Sequence, residues 1–348
     1  MEDLPENVTV EILSRLPVKT IIHCKWSQQP GIVKWVEVED EYDDHHLHHD
    51  PVMSLDLNLA PLLQKSTILT VGSVNGLLCL WQSGQGKDNT YICNPITREY
   101  MILPRQKYYK EGYADIVYCF GVGSLTHEYK VIRIFQGNIN IPSNSTSRTR
   151  SSVLRAEVYT LGTTQWRSVC DIPCWLDRFC GPFLNGHAHW SVFGKDSPEN
   201  IYVFDFDNET FNFFPSPPVE TIHGSENHFK TLAVLNGCLC QCDTFDSQLT
   251  IWVMKEYGVK TSWHKDLVIK ESFSSKMDLL MWGPVHLIER LNDGTILMFF
   301  MKDRLLEYCP KRRKIVGTEN FDCFFMGLAY RPSFLKLQNF ESQGVHVF

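Results

Sequence analysis

The chain has 348 residues, of which 43% are hydrophobic and 21% charged, a composition typical of a globular protein with a sizeable core. Its 33 basic and 40 acidic residues give a formal net charge of −7. This is the wrong sign for a protein that binds nucleic acid through a broadly basic surface. No apolar run approaches the roughly 18 residues that a membrane-spanning helix needs, so we expect neither nucleic acid nor a membrane as partner.

The number of cysteines and the first residues of the chain indicate the cellular compartment. The 12 cysteines are spread over a long chain, which argues against the disulfide framework of a short secreted protein. Met1–Pro5 has neither the basic nor the apolar region of a secretory signal. We therefore expect a reducing compartment, namely the cytoplasm, the nucleus or both.

Residues 3–26 are predicted to form two short helices. Asp3 can cap the first helix, with Glu6 completing a capping-box pattern three positions later. The apolar residues of this helix recur on one face: Val8, Ile12, Leu13 and Leu16. Pro17 ends the first helix and can begin a second over 18–26. The apolar residues of the second helix are Ile21, Ile22 and Trp26. Neither helix can bury its apolar face alone, which suits docking on another protein.

An acidic, histidine-rich stretch follows the predicted helices. Residues 37–50 lack hydrophobic periodicity, which is typical of a solvated connector. Its adjacent histidines cannot preorganise a tetrahedral metal site on a flexible strand, so we expect no metal there. The sequence thus predicts three parts: helices in 1–30, a connector in 31–60 and a β domain in 61–340.

The β domain is predicted from short runs rich in Val, Ile, Phe, Tyr and Trp, separated by turn residues. An Asn-Gly step recurs at intervals of about 50 residues or about twice that, which is the period of β-propeller blades. The steps are Asn75-Gly76, Asn185-Gly186, Asn236-Gly237 and, in a looser form, Asn292-Asp293-Gly294. After each step an aromatic-rich strand, a turn and a further strand predict local hairpins. Stacked blades would bury both faces of each sheet.

Catalytic and ligand-binding patterns are poorly represented. Gly72–Gly76 has the wrong spacing for a nucleophile elbow, and Gly84–Lys87 lacks the rest of a phosphate-binding motif. Cys238, Cys240 and Cys242 alternate along one strand and are predicted to pack in the core rather than to bind zinc. Lys311–Lys314 is predicted to be a solvated turn. We expect no catalytic residue, no cofactor and no enzymatic activity.

Particular segments resemble a known family. Leu4–Lys19, with Leu-Pro, Ile-Leu and Leu-Pro-Val at fixed spacing, resembles the start of an F-box. The rest of the chain resembles the F-box-associated domain of the large plant F-box family. The matching segments are Gly72–Leu80, Cys93–Glu99, Phe120–Gly123 and Glu128–Arg133. The order of these segments is more specific than any one of them.

The resemblance implies a substrate-recognition subunit of an SCF-type (Skp–cullin–F-box) ubiquitin ligase. The F-box would dock on the Skp adaptor and through it on the cullin–RING ligase. The kelch-like β-propeller would hold an unidentified target protein for ubiquitination and proteasomal degradation. Carried over residue by residue, the adaptor-facing set is Leu4, Pro5, Val8, Ile12, Leu13, Leu16, Pro17, Val18, Ile21 and Ile22. The sequence does not identify the target-binding residues.

The chain departs from the family pattern after the second predicted helix. Family members continue through a longer second helix and a third, whereas here His23–Ser27 passes almost directly to Gln28–Gly31. The expected fold is therefore mainly β, a kelch-like propeller preceded by a short, truncated α-helical F-box. Two functions stay open: the ligase adaptor, and a non-ligase β-propeller interaction module with a vestigial F-box.

Overall fold

The protein is described here by a computed structural model. It describes residues 19–24, 33–37, 53–55, 67–83, 89–105, 115–140, 150–172, 174–177, 181–193, 201–218, 228–245, 248–270, 283–300, 304–320, 325–340 and 344–347. The chain divides into two compact units. The central unit is Pro104–Leu287, and the terminal unit combines Met1–Leu103 with Ile288–Phe348.

Strands dominate the described residues. The terminal unit begins with β1 Lys19–Cys24, β2 Val33–Glu37, β3 Met53–Leu55, β4 Thr67–Val74, β5 Leu77–Ser83, β6 Asn89–Asn94 and β7 Glu99–Ile102. The central unit contains β8 Asp115–Val122, β9 Tyr129–Asn140, β10 Arg150–Thr160, β11 Arg167–Asp171, β12 Trp175–Leu176, β13 Phe183–Leu184, β14 His187–Phe193, β15 Ile201–Asp205, β16 Thr210–Phe214, β17 His228–Leu235, β18 Cys238–Phe245, β19 Gln248–Met254 and β20 Trp263–Lys270. The chain continues through β21 Val285–Arg290, β22 Ile296–Phe300, β23 Arg304–Cys309, β24 Lys314–Asn320, β25 Phe325–Tyr330 and β26 Val345–Val347. Two short 3₁₀ helices span Lys260–Ser262 and Leu337–Asn339.

These strands form six sheets of four or five strands within the described residues. Their orders are β25-β1-β2-β3, β26-β7-β6-β5-β4, β11-β10-β9-β8, β12-β14-β15-β16 with β13 on β14, β17-β18-β19-β20, and β21-β22-β23-β24. Most sheets are built from consecutive strands of the chain, as the repeated hairpins predicted. The two exceptions unite distant segments, because β25 joins β1 and β26 joins β7.

The predicted Asn-Gly hairpin turns are confirmed. Asn75, Asn185 and Asn236 have φ values of 50°, 50° and 49°. The glycine after each also has positive φ, with values of 77°, 76° and 73°. Positive φ at both central residues defines the type I′ turn, which matches the twist of the strands that it joins. The looser fourth repeat differs, because there Gly294 has φ of 93° and Leu291 pairs with Thr295 across the turn.

Core residues lie between neighbouring sheets within each unit. In the central unit one cluster joins β8–β11 to β12–β16 and contains Ile132, Val158, Trp190 and Phe204. A second joins β12–β16 to β17–β20 and contains Val203, Phe214, Leu239 and Trp252. In the terminal unit Tyr330 packs with Ile68, Leu80 and Tyr91. Burial of both sheet faces is what the repeat pattern predicted for stacked blades.

Two smaller predictions are also confirmed. Cys240 and Cys242 are buried and Cys238 is half-buried, and burial raises the pKa of the Cys242 thiol. Residues 311–313 form an exposed turn between β23 and β24, and the equally exposed Lys314 begins β24. Among the described residues no cluster of His, Cys, Asp and Glu is placed to hold a metal ion. No helix in the described ranges is long and apolar enough to cross a membrane.

The prediction of a helix over 18–26 was wrong for Lys19–Cys24, which forms strand β1. Thr20, Ile21 and Ile22 are β-branched, and such residues favour strands over helices. In addition, β1 pairs on one side with β25 and on the other with β2. Pairing with a segment far along the chain therefore outweighs the local helical spacing. The first predicted helix lies outside the described residues.

The segment 31–60, predicted to be a connector, contains two of the strands. β2 and β3 pair with each other antiparallel, with Val33 opposite Leu55. Both strands belong to the sheet that contains β1. The acidic and histidine-rich residues between them, 38–50, lie outside the described residues. The domain division drawn from the sequence stays a prediction.

Candidate functional site

The predicted adaptor-facing residues occupy two parts of the chain. Leu4, Pro5, Val8, Ile12, Leu13, Leu16, Pro17 and Val18 lie outside the described residues. Ile21 and Ile22 lie in β1, where the backbone of Ile21 is opposite Leu328 on one side and Trp35 on the other. Their role in adaptor docking stays a prediction.

A turn in the central unit offers a well-defined candidate for target contact. This clamped turn, residues 123–128, connects β8 to β9. The carboxylate of Asp207 accepts hydrogen bonds from the backbone N–H groups of Ser124 at 2.8 Å, Leu125 at 3.1 Å and Thr126 at 2.9 Å. It also accepts one from the hydroxyl of Thr126 at 2.9 Å. One side chain thus fixes three consecutive backbone groups of the turn.

The electrostatics of Asp207 agree with this geometry. Desolvation raises the pKa of its carboxyl, but hydrogen bonds from Thr126, Leu125 and Ser124 outweigh that contribution and lower the pKa below its ordinary value. The group is therefore ionised at neutral pH and accepts these bonds as a charged partner. Hydrogen bonds to a charged acceptor are stronger than those between neutral groups.

The buried lysine Lys130 fixes the other end of the clamped turn. Its ammonium donates to the carbonyl of Phe206 at 2.8 Å and pairs with Glu128 at 2.9 Å and Glu209 at 3.0 Å. These three partners satisfy the three N–H bonds of the ammonium group. Burial lowers the pKa of Lys130, but the hydrogen bonds to Glu128 and Glu209 more than compensate and raise it. The side chain is 2% exposed and stays charged.

Glu209 extends this network toward the surface. It forms a further ion pair with Arg167, whose side chain is half-exposed. Burial raises the pKa of the Glu209 carboxyl, but hydrogen bonds from Arg167 and Lys130 outweigh it and hold the pKa below its ordinary value. A buried charge is stable only when it is paired, and here one carboxylate pairs with two cations.

The clamped turn also lies against the hairpin tip Asn185-Gly186. A Cβ placed on Gly186 would lie 2.4 Å from the hydroxyl oxygen of Ser124, which is closer than packing allows. Gly123 is equally restricted, because a Cβ there would lie 2.3 Å from a carboxylate oxygen of Asp207. With its backbone held, the turn presents the side chain of Leu125 to solvent, 81% exposed.

The terminal unit repeats this arrangement at another Asn-Gly tip. The hydroxyl of Ser333 donates to the carbonyl of Asn75 at 2.5 Å, and a Cβ on Gly76 would lie 2.2 Å from that hydroxyl oxygen. The side-chain amide of Asn94 donates to the carbonyls of Ser333 at 3.0 Å and Leu335 at 2.7 Å. The segment 331–337 is therefore fixed much as the clamped turn is.

An exposed apolar side chain follows the serine in both places. Phe334 is 49% exposed beside Ser333, as Leu125 is exposed beside Ser124. By contrast, no described atom lies within 4 Å of a Cβ built on Gly237 or Gly294. Two hairpin tips are thus covered by a serine segment that carries an outward apolar residue. A segment whose backbone is already fixed loses less conformational entropy when it binds a partner.

Sequence reasoning did not identify Leu125 or Phe334. The available signal was an apolar residue inside a polar turn, Gly123-Ser124-Leu125-Thr126, next to the segment Glu128–Arg133 that carries the family resemblance. That signal is weak, because single apolar residues are common on protein surfaces. Only the contacts with Asp207 and Gly186 distinguish this leucine from others.

The buried histidine His189 serves the packing of the central unit. One ring nitrogen lies 3.1 Å from the carbonyl of Pro182 and the other 2.8 Å from the hydroxyl of Tyr257. Burial lowers the pKa of His189 to about 4, so the ring is neutral at physiological pH. Since the Pro182 carbonyl can only accept, Nδ1 carries the proton and Nε2 accepts from Tyr257. Both nitrogens are therefore engaged within the fold.

Comparison with known proteins identifies the family. The F-box associated beta propeller domain matches residues 40–324. The Arabidopsis thaliana F-box protein At3g07870 is 28% identical over 382 aligned positions, covering 94% of this chain and 89% of the relative. F-box protein CPR1 of the same plant is 24% identical, covering 79% of this chain and 75% of the relative. The chain therefore belongs to the plant F-box proteins with an F-box-associated β-propeller domain, and its mainly β fold is of that class.

Proposed function

We propose that this chain is the substrate-recognition subunit of an SCF-type ubiquitin ligase. The supporting observation is the match of the F-box-associated domain over most of the chain, together with a plant F-box relative that aligns over 94% of it. In this role the N-terminal segment docks on the Skp adaptor and hence on the cullin–RING ligase. The β domain recruits a target protein for ubiquitination and proteasomal degradation, in the cytoplasm or nucleus.

The proposed mechanism is proximity and requires no catalytic residue in this chain. Tethering a target beside the ubiquitin-charged enzyme raises the effective concentration of its lysines. The buried His189 forms hydrogen bonds within the fold, and the buried Cys93 and Cys119 lie in core clusters, which is consistent with a non-catalytic adaptor. For the target contact we propose the clamped turn, because Leu125 is held outward on a fixed backbone.

The experiment is a pull-down of purified Skp adaptor by the full-length chain. We expect binding by the wild type and loss of binding in a Leu13→Asp, Leu16→Asp double variant, because a charge would be buried in the contact. A Val316→Asp variant is the matched control, since Val316 is exposed on β24 and outside the proposed contact. Equal binding by wild type and double variant contradicts the proposed site.

A second function is favoured by one observation. Lys19–Cys24, which the resemblance assigns to the second F-box helix, forms a strand instead. A chain that binds its target but not the adaptor would act as a β-propeller interaction module with a vestigial F-box. No binding of the adaptor by the wild type in the same pull-down supports this alternative.

A further inference from the structure

Strand β1 occupies an interior position in its sheet. Six of its residues pair with β25 on one side and five pair with β2 on the other. Thr20, for example, has Ala329 and Val36 as its two Cα partners. The backbone groups of an interior strand are used on both sides, in ladders between strands.

The partner strand β25 is itself fixed in the terminal unit. Tyr330, at its end, is fully buried and donates a hydrogen bond to the carbonyl of Gly76 at 3.2 Å. Leu328 packs against the same core cluster. Strand β25 is the edge strand of this sheet, but its residues Leu328 and Tyr330 belong to the hydrophobic core, so β1 is paired to a strand that is held in place by the core.

The strand and the proposed adaptor helix require different backbone hydrogen bonds. A helix joins each N–H to the carbonyl four residues earlier, whereas β1 directs these groups to its neighbours. Length differs too, because six residues span about 20 Å as a strand and about 9 Å as a helix. Ile21 and Ile22 cannot contribute to both arrangements at once.

We propose that pairing of β1 in its sheet and docking of the same segment on the Skp adaptor exclude each other. Release of β1 from β25 and β2 then controls how much of the N-terminal segment the adaptor can bind. This inference rests on the proposed adaptor function. Because binding linkage is reciprocal, the adaptor in turn favours the state in which β1 is released.

A disulfide that holds β1 in place tests the proposal. Thr20 and Ala329 are directly opposite, as are Ile21 and Leu328, and successive opposite pairs of antiparallel strands alternate between hydrogen-bonded geometry and the closer, non-hydrogen-bonded geometry that suits a disulfide. We therefore expect either a Thr20→Cys, Ala329→Cys variant or an Ile21→Cys, Leu328→Cys variant to cross-link on mild oxidation, seen by mass spectrometry of the linked peptides. The oxidised protein should bind the adaptor at least about tenfold more weakly than the reduced protein, because release of β1 is blocked. Reduction should restore binding.

A matched cross-link controls for oxidation itself. Lys230 and Asp243 are opposite each other on β17 and β18, away from β1 in the sequence. A Lys230→Cys, Asp243→Cys variant should bind the adaptor equally before and after oxidation. The wild type is taken through the same cycle, because the chain has 12 cysteines of its own.

The outcomes separate the two proposals. Failure of both the Thr20→Cys, Ala329→Cys and the Ile21→Cys, Leu328→Cys variants to cross-link, while the control variant does so, overturns the placement on which the inference depends. Equal adaptor binding by the oxidised and reduced forms leaves the adaptor function standing and refutes the exclusion. Absence of binding in every form, wild type included, refutes the adaptor function and the exclusion with it.

Discussion

Replacing Lys130 with methionine should strongly destabilise the central unit. Methionine has a similar length but no charge, so the change leaves Glu209 with a single cationic partner and the carbonyl of Phe206 without its donor. Removing one partner of a fully buried ion pair typically costs about 3 to 5 kcal/mol. Here the expected loss is about 2 to 4 kcal/mol, because Glu128 is half-exposed and water can solvate it.

Urea denaturation followed by fluorescence measures this loss as a change in the free energy of unfolding. Lys311→Met is the matched control, because Lys311 lies in an exposed turn and its replacement should cost less than about 0.5 kcal/mol. The dependence of the free energy of unfolding on acid pH gives a second test. The pKa of Glu209 is lowered in the folded protein, so its contribution is present above its unfolded pKa and is lost as the pH falls. The Lys130→Met variant should therefore lose less stability than the wild type when the pH is lowered from neutral to acid.

Two results would contradict a stabilising role for Lys130. A Lys130→Met variant within about 1 kcal/mol of the wild type at neutral pH would show that the buried network contributes little. An equal loss for Lys311→Met would show that any lysine removal has this effect. Either result refutes the role assigned to the network in fixing the clamped turn.

Three further predictions use the same fold. Gly186→Ala should lower the free energy of unfolding, measured by urea denaturation, more than Gly237→Ala does. Both replacements strain a positive φ, but only the alanine at 186 meets Ser124 of the clamped turn. Equal losses of stability would contradict this packing. The pKa of His189 should be near 4 in an NMR titration. Because the histidine of the unfolded chain takes up its proton near pH 6.5, the free energy of unfolding should fall as the pH drops from 6.5 toward 4. A titration midpoint of His189 above pH 6 would contradict its burial. Leu125→Asp should leave the unfolding midpoint nearly unchanged but reduce the labelling of target proteins by a proximity-labelling fusion. Val316→Asp should change neither the midpoint nor the labelling. Normal labelling by the Leu125→Asp variant would exclude Leu125 from target contact.

Local chemistry explains what the sequence could predict. The Asn-Gly steps at 75, 185 and 236 predicted hairpins, because asparagine and glycine are the residues that tolerate positive φ at the two central turn positions. The alternation of Cys238, Cys240 and Cys242 predicted packing on one strand, and two of the three are buried. Each of these predictions depends on neighbours within a few residues.

Non-local contacts explain what the sequence could not predict. The spacing of Ile21, Ile22 and Trp26 is compatible with a helix, and nothing nearby reveals that β25 pairs with this segment. The candidate site has the same difficulty, because Ser124 and Asp207 are 83 positions apart in the chain. A carboxylate that organises a distant turn leaves no periodic pattern in the sequence.

The discontinuous terminal unit also determines the order in which the protein can be completed during synthesis. Ribosomes add roughly 5 to 20 residues per second, and about 300 residues separate β1 from β25, so β1 waits on the order of 15 to 60 s for this partner. The central unit is continuous, and its hairpins can pair while the ribosome is still translating the remainder. Every newly made chain therefore passes through a period in which its N-terminal segment has emerged and the last strand that would enclose it has yet to be translated.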